Sequence, residues 1–246
     1  MTRTVLDQQL QHVSARLLSL GNAVDALLAN VLKALRTQDQ VLYQQVLEAG
    51  CSLDSLQRRL ERQVFDVLAL QQPLGSHDLR VLTMTLLIAR HLRQAGHGAG
   101  AIARLLLMSF ETTAQGQAAD QEGTSIPLLR RRGTQIVPDA TSLVRDLLAL
   151  GEDARQLLRA SLQACVTQDA ALARQIWQED DVVDVRYHLV RHDLFTLLAD
   201  PPSLVSLAAV DGLIQHLSAL LEIAHGFERV ADHGVTICER TVFLVE

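Results

Sequence analysis

Val13, Leu17, Leu20, Val24, Leu27 and Val31 recur at alternating spacings of three and four. That rhythm lays one apolar seam along a long helix that packs at a shallow angle to its neighbours. The helix is expected to end near Thr37, and a second to start at Asp39, whose carboxylate can accept from the first free amide groups. This second helix should run to about Gln71, before Pro73, and a third from about Ser76 to Phe110, with Ser76 and Asp78 as capping candidates. Residues 114–138, AQGQAADQEGTSIPLLRRRGTQIVP, lose the periodicity and read as a linker. Helical pattern resumes near Asp139 and continues to Val166. Two further helices follow, from about Asp169 to Leu198 before Pro201-Pro202, and from about Ser203 to Val245. No segment alternates as a strand would.

The two halves repeat one another. LKALRTQDQVLYQQ, from Leu32, matches LQACVTQDAALARQ, from Leu162, so that Thr37-Gln38-Asp39 falls on Thr167-Gln168-Asp169. Further on, LRQAGHGAGAIARLLL, from Leu92, aligns with FERVADHGVTICERTVF, from Phe227. The expected fold is therefore all-α: two tandem three-helix bundles, residues 1–113 and 139–246, joined by the linker 114–138.

Composition narrows the function. Apolar residues make up 48% of the chain and aromatics only 3%, so Leu and Ala, both good helix formers, carry the core. A net charge of -6 argues against nucleic-acid binding, which needs a basic footprint. Cys51, Cys165 and Cys238 are odd in number and form no CxxC, as expected of reduced thiols in the cytoplasm. The opening MTRTVLDQQLQH lacks the apolar core of a signal peptide, and the most apolar run, VLTMTLLIARHL, is broken by Arg90. Contact with a membrane is expected only through partners.

The candidate chemistry lies in two acidic pairs, Asp180 with Asp184 and Glu228 with Asp232, each four residues apart on a long helix. Like charges at that spacing cost on the order of 0.2–0.5 kcal/mol per pair. Such pairs most often form a solvated face. If the two helices run antiparallel in one bundle, however, the pairs converge, and four carboxylates repel strongly unless a cation binds them. Oxygen donors suit Mg, Mn, Ca or iron, and participation of His188 or His225 would favour zinc or iron. The corresponding positions in the first half are Gly50, Asp54, Arg93 and His97, with Arg58 in place of His188. There Arg58 or Arg93 can pair with Asp54, so a single metal site per chain is expected, with the first half metal-free. The glycines of GHGAG, residues 96–100, follow no strand and suggest close helix packing or a kink rather than a phosphate loop. No nucleophile stands beside a credible base, and no enzyme activity is expected.

FERVADHGVTICE resembles the ERIGDxxxNI signature of the PhoU family, EDDVVD its second acidic motif, and QQPLGSHDLR its QP-x-(x)-SDLR segment. Thr236 stands where the family often has Asn. The resemblance spans nearly the whole chain. It implies a cytoplasmic regulator of phosphate uptake that represses the phosphate-starvation response by contacting the phosphate ABC transporter's ATPase and a sensor histidine kinase. It further implies a metal ion held by Asp180, Asp184, Glu228 and Asp232, with His188 and His225 as weaker candidates. A homodimer is also expected. Two other readings keep the fold: an accessory regulator of another phosphate or ion transporter, and a metal-dependent helical-bundle enzyme or metal carrier.

Overall fold

The computed structural model describes residues 3–37, 39–70, 73–116, 140–199 and 207–246. Six helices account for nearly all of them: α1 (Arg3–Thr37), α2 (Gln40–Leu70), α3 (Ser76–Gly116), α4 (Ala140–Thr167), α5 (Ala170–Ala199) and α6 (Leu207–Val245). Among the described residues there is no strand. The first three helices pack on one another, as do the last three, and the bundles join through α3 against α6 and α1 against α4. The outer helices α2 and α5 each touch only their own bundle closely.

Local chemistry explains the boundaries. Asp39 Oδ1 accepts from the amides of Val41 at 2.9 Å and Leu42 at 3.4 Å, and the equivalent Asp169 Oδ1 accepts from Leu172 at 2.9 Å. Both caps satisfy amide groups that the first turn leaves without partners. α4 stops because Gln168 enters the left-handed region at φ 52°, which lets the Asp169 amide donate back to the Ala164 carbonyl at 2.9 Å. α3 starts at Ser76 as expected, but with its capping candidates, Ser76 and Asp78, inside the helix. The bond that opens it runs from the Leu79 amide to the Gly75 carbonyl at 3.0 Å. α3 also continues past Phe110 to Gly116, six residues further than the periodicity indicates. The remainder of the expected linker, Gln71 and Ser203 lie outside the described residues.

The apolar seam of α1 is the centre of the core: Val13, Leu20, Val24, Leu28 and Val31 are fully buried. α1 is long and apolar enough to cross a membrane by composition, but these side chains are spent on packing within the bundle. The duplication is visible in atomic contacts. A Cβ at Gly21 would meet the Leu162 side chain at 2.0 Å, and one at the equivalent Gly151 would meet Leu32, the counterpart of Leu162, at 2.5 Å. Each repeat thus seats its leucine on the other's glycine. On the same α1–α4 seam Arg155 donates to both carboxylate oxygens of Asp25, at 2.8 and 3.1 Å. Within GHGAG the helix is unbroken, and Gly96 admits Leu53, whose Cδ1 would lie 2.2 Å from an added Cβ. Close packing, not a phosphate loop, explains that glycine.

Gly50 is the opposite case, because nothing lies within 4 Å of an added Cβ. Gly50→Ala should stabilise the protein by about 0.5–1 kcal/mol through the reduced freedom of the unfolded chain. Chemical denaturation checks this, with an upward shift in midpoint at unchanged slope.

Candidate metal centre

α5 and α6 run antiparallel. Arg174, near the start of α5, pairs with Glu246 at the chain end, whereas the rings of Tyr187 and His225 lie 6.2 Å apart further along. This places Asp180 and Asp184 on α5 beside Glu228 and Asp232 on α6. Electrostatics report the proximity. Burial, then Asp184 and Asp232, push the Asp180 carboxyl up to about 6. Burial also raises Glu228, reinforced by Asp232 and opposed by His225, and it raises Asp232, reinforced by Asp184. Asp180, Asp184 and Glu228 are thus partly buried and Asp232 is exposed, all four on the same side of the α5–α6 pair, where Asp180, Glu228 and Asp232 feel one another's charge.

The surrounding cations are engaged elsewhere or only graze the group. Arg186 donates to Asp153 on α4 at 2.6 Å. His225 Nδ1 lies 2.9 Å from Glu228 Oε2, so the structure brings this imidazole to the acidic group. His188 is exposed, and its ring contact is with the adjacent Tyr187 at 5.6 Å. The Thr236 hydroxyl donates to the Asp232 carbonyl one turn back, at 2.9 Å. As placed, no three His, Cys, Asp or Glu side chains among the described residues converge closely enough to hold a metal ion. The donor set nevertheless suits a hard divalent cation: oxygen atoms, mutual repulsion, and partial removal from water. Ligation would require the carboxylates to rotate inward from these positions.

The first half resolves the same problem differently. Arg93 donates to Asp54 Oδ1 at 3.0 Å, His97 Nε2 lies 3.2 Å from the same oxygen, and Arg93 is 3.5 Å from His97. Arg93, then His97, hold the Asp54 carboxyl below its ordinary range. Arg58, the other expected partner of Asp54, has no ion pair among the described residues. One α3 guanidinium and one imidazole have taken the place that two carboxylates hold on α6. Sequence reasoning did not find the Arg155–Asp25 and Arg186–Asp153 pairs, nor a contact between His91 on α3 and His233 on α6, whose Nδ1 atoms lie 3.5 Å apart. All join residues far apart in sequence, and no local spacing announces them.

The architecture defines a class: an all-helical protein of two fused three-helix bundles, one of which carries a carboxylate-lined face. Both halves match the family model described as the PhoU domain, over residues 17–106 and 147–241, and the chain belongs to the PhoU family. It is 22% identical over 245 residues to a phosphate-specific transport system accessory protein PhoU homologue of Clostridium acetobutylicum, covering 100% of this chain and 96% of that protein. It is 26% identical over 232 residues to the PhoU homologue of Caulobacter vibrioides strain NA1000, covering 94% and 86%. The crystal structure of PhoU from Pseudomonas aeruginosa superposes with a TM-score of 0.75 at 23% identity, covering 97% of this chain and 98% of that one. The phosphate transport system regulatory protein PhoU from Streptococcus pneumoniae gives the same TM-score at 22% identity, covering 97% and 96%.

Proposed function

We propose that this chain is a cytoplasmic regulator of phosphate uptake and of the phosphate-starvation response. It works as a non-enzymatic helical adaptor that docks the ATPase of a phosphate ABC transporter and a sensor histidine kinase. The observation that carries the reading is the match of both halves to one family whose curated relatives are named as accessory proteins of the phosphate-specific transport system.

Asp180, Asp184, Glu228 and Asp232 would hold a divalent or trivalent metal ion (Mn, Mg, Fe or Zn), with His225 able to contribute once released from Glu228. The ion would neutralise charge and cross-link α5 to α6, fixing the form of that face for a partner. In the first half, Arg93 already supplies positive charge to Asp54, and His97 Nε2 lies 3.2 Å from the same carboxylate oxygen. The adaptor is thus asymmetric, with one cation-dependent face and one self-neutralised face.

Deletion of the gene tests the regulatory reading. Phosphate-responsive transcripts should rise at high external phosphate, and phosphate uptake should escape its normal restraint. Unchanged transcripts together with unchanged uptake would contradict it.

A further inference from the structure

The first repeat reverses the charge of the carboxylate-lined face. The alignment that sets Thr37 on Thr167 puts Gly50, Asp54 and Arg58 of α2 at the positions of Asp180, Asp184 and His188. The alignment that sets Leu92 on Phe227 puts Arg90, Arg93 and His97 of α3 at those of His225, Glu228 and Asp232. Places that hold four carboxylates and two imidazoles in one half hold three guanidiniums, an imidazole, a carboxylate and a glycine in the other. The bias runs along the helix: from Leu79 to Phe110, α3 carries four arginines and two histidines and no carboxylate, in a chain whose net charge is -6. Arg93 answers Asp54 at 3.0 Å, which leaves Arg58 and Arg90 over, both exposed and without an ion pair among the described residues. The duplicated fold says where they stand. On α6 the equivalent of Arg90, His225, reaches Glu228 at 2.9 Å, and its ring centroid lies 6.2 Å from that of Tyr187, the neighbour of His188 on α5. The antiparallel helices α2 and α3 meet in the same way, with Asp54 against Arg93 and Leu53 against Gly96, so Arg58 and Arg90, each about one turn from that contact, come side by side. Gly50 leaves the other end open, because nothing lies within 4 Å of an added Cβ.

We propose that this α2–α3 face binds inorganic phosphate, held by Arg58 and Arg90, with Asp54 selecting a protonated oxyanion over a fully ionised one. A guanidinium offers paired N–H donors that match two oxygens of a tetrahedral oxyanion, and two guanidiniums suit its double charge. Asp54 decides which oxyanion enters. An ionised carboxylate only accepts, so it repels a ligand that has no proton to donate. Arg93, then His97, hold Asp54 below its ordinary range and so keep it ionised. Both of those contacts fall on Oδ1, and Oδ2 has no hydrogen bond among the described residues. Inorganic phosphate keeps a proton at pH 8 and can donate it to Oδ2. Sulfate cannot, nor can a phosphomonoester above its second ionisation at about 6. The inference rests on the charge of this face and not on the regulatory reading, which gene deletion tests separately.

Isothermal titration calorimetry on the full chain tests it, in chelator at pH 8 and low salt, so that no metal on the acidic face carries the anion. With ligand raised to about 10 mM, the natural chain should bind inorganic phosphate, and should bind sulfate and glycerol 3-phosphate roughly fivefold or more weakly. Arg58→Ala and Arg90→Ala should each weaken phosphate by about five- to tenfold with an unchanged helical circular dichroism spectrum, since both side chains are exposed. Asp54→Asn should keep phosphate and gain sulfate, closing the difference between them. Asp184→Asn with Asp232→Asn should bind phosphate as the natural chain does, which separates this face from that of α5 and α6. Absence of phosphate binding up to about 10 mM, or undiminished binding in the Arg58→Ala, Arg90→Ala protein, overturns the proposal. Equal affinity of the natural chain for sulfate and phosphate overturns it as well, as does tighter binding of glycerol 3-phosphate, which would assign the face to an ester.

Discussion

Asp180→Asn should make the metal-free protein more stable at pH 8, by about 1–2 kcal/mol once solvent screening of a half-buried group is allowed for. For a chain of this size that is about 2–8 °C in melting temperature. The reason is the sign of the perturbation. The Asp180 carboxyl is raised to about 6 by burial and by Asp184, Asp232, Asp181 and Glu228. A carboxylate whose folded value is raised opposes folding above that value, and the penalty disappears as pH falls through 6 towards the unfolded value near 4. The gain from Asn should therefore be largest at pH 7–8 and small at pH 4. Differential scanning calorimetry in chelator at both pH values measures it. With saturating Mn²⁺ the order should narrow or reverse, because a cation that binds only the folded state stabilises the carboxylate protein more. A variant less stable than the natural chain at pH 8 in chelator would mean that Asp180 is held by favourable contacts rather than by repulsion.

The second large effect belongs to the junction of the repeats. His91 on α3 and His233 on α6 lie with ring centroids 5.5 Å apart. Burial, then His91 and Arg229, push His233 down to about 4; burial, then Arg240 and Arg90, lower His91 against a weak opposing pull from Glu239. An imidazole kept neutral in the fold contributes stability that is complete above its unfolded value near 6.5 and is lost as pH falls towards 4. The loss at His233 is at most about 3 kcal/mol. Asp180 moves the other way across much of that window, so the whole protein shows only the difference. Comparing the natural chain with His233→Gln separates the two. The variant should lose less stability between pH 7 and pH 4.5, with urea midpoints as the measure. Parallel pH profiles for the two proteins would show that the imidazole pair is not held neutral.

Much of this molecule was legible before its structure. The three–four rhythm of Val13 to Val31 located α1, and Asp39 and Asp169 cap α2 and α5 where their sequence context placed them. The pairing of Asp54 with Arg93 followed from the repeat, because equivalent positions in a duplicated fold occupy equivalent places; the His97 contact with the same oxygen did not. Arg58 was the misjudged member. A position one turn beyond Asp54 on the same helix need not reach it when a guanidinium from α3 is already there. α3 outran its forecast because Glu111, Thr112 and Thr113 break the apolar rhythm without breaking a helix. The outer face of α5 was in plain view as Val182-Val183 within EDDVVDVRYHL. Adjacent valines cannot both point to one core, and Val182 faces outward while Val183 is buried. The His91–His233 and Arg155–Asp25 contacts depend on how α3 meets α6 and α1 meets α4, which no local pattern specifies.

We propose that the second repeat alone carries a cation site, built from Asp180, Asp184, Glu228 and Asp232. Titration of the chelator-treated protein with Mn²⁺, followed by calorimetry and by the electron paramagnetic resonance of free Mn²⁺, tests it directly. The natural chain should bind at one site or one cluster. The Asp184→Asn, Asp232→Asn protein should lose tenfold or more in affinity, and the Asp54→Asn protein should bind as the natural chain does. Undiminished binding in the Asp184→Asn, Asp232→Asn protein, or loss of binding on changing Asp54, would contradict the account.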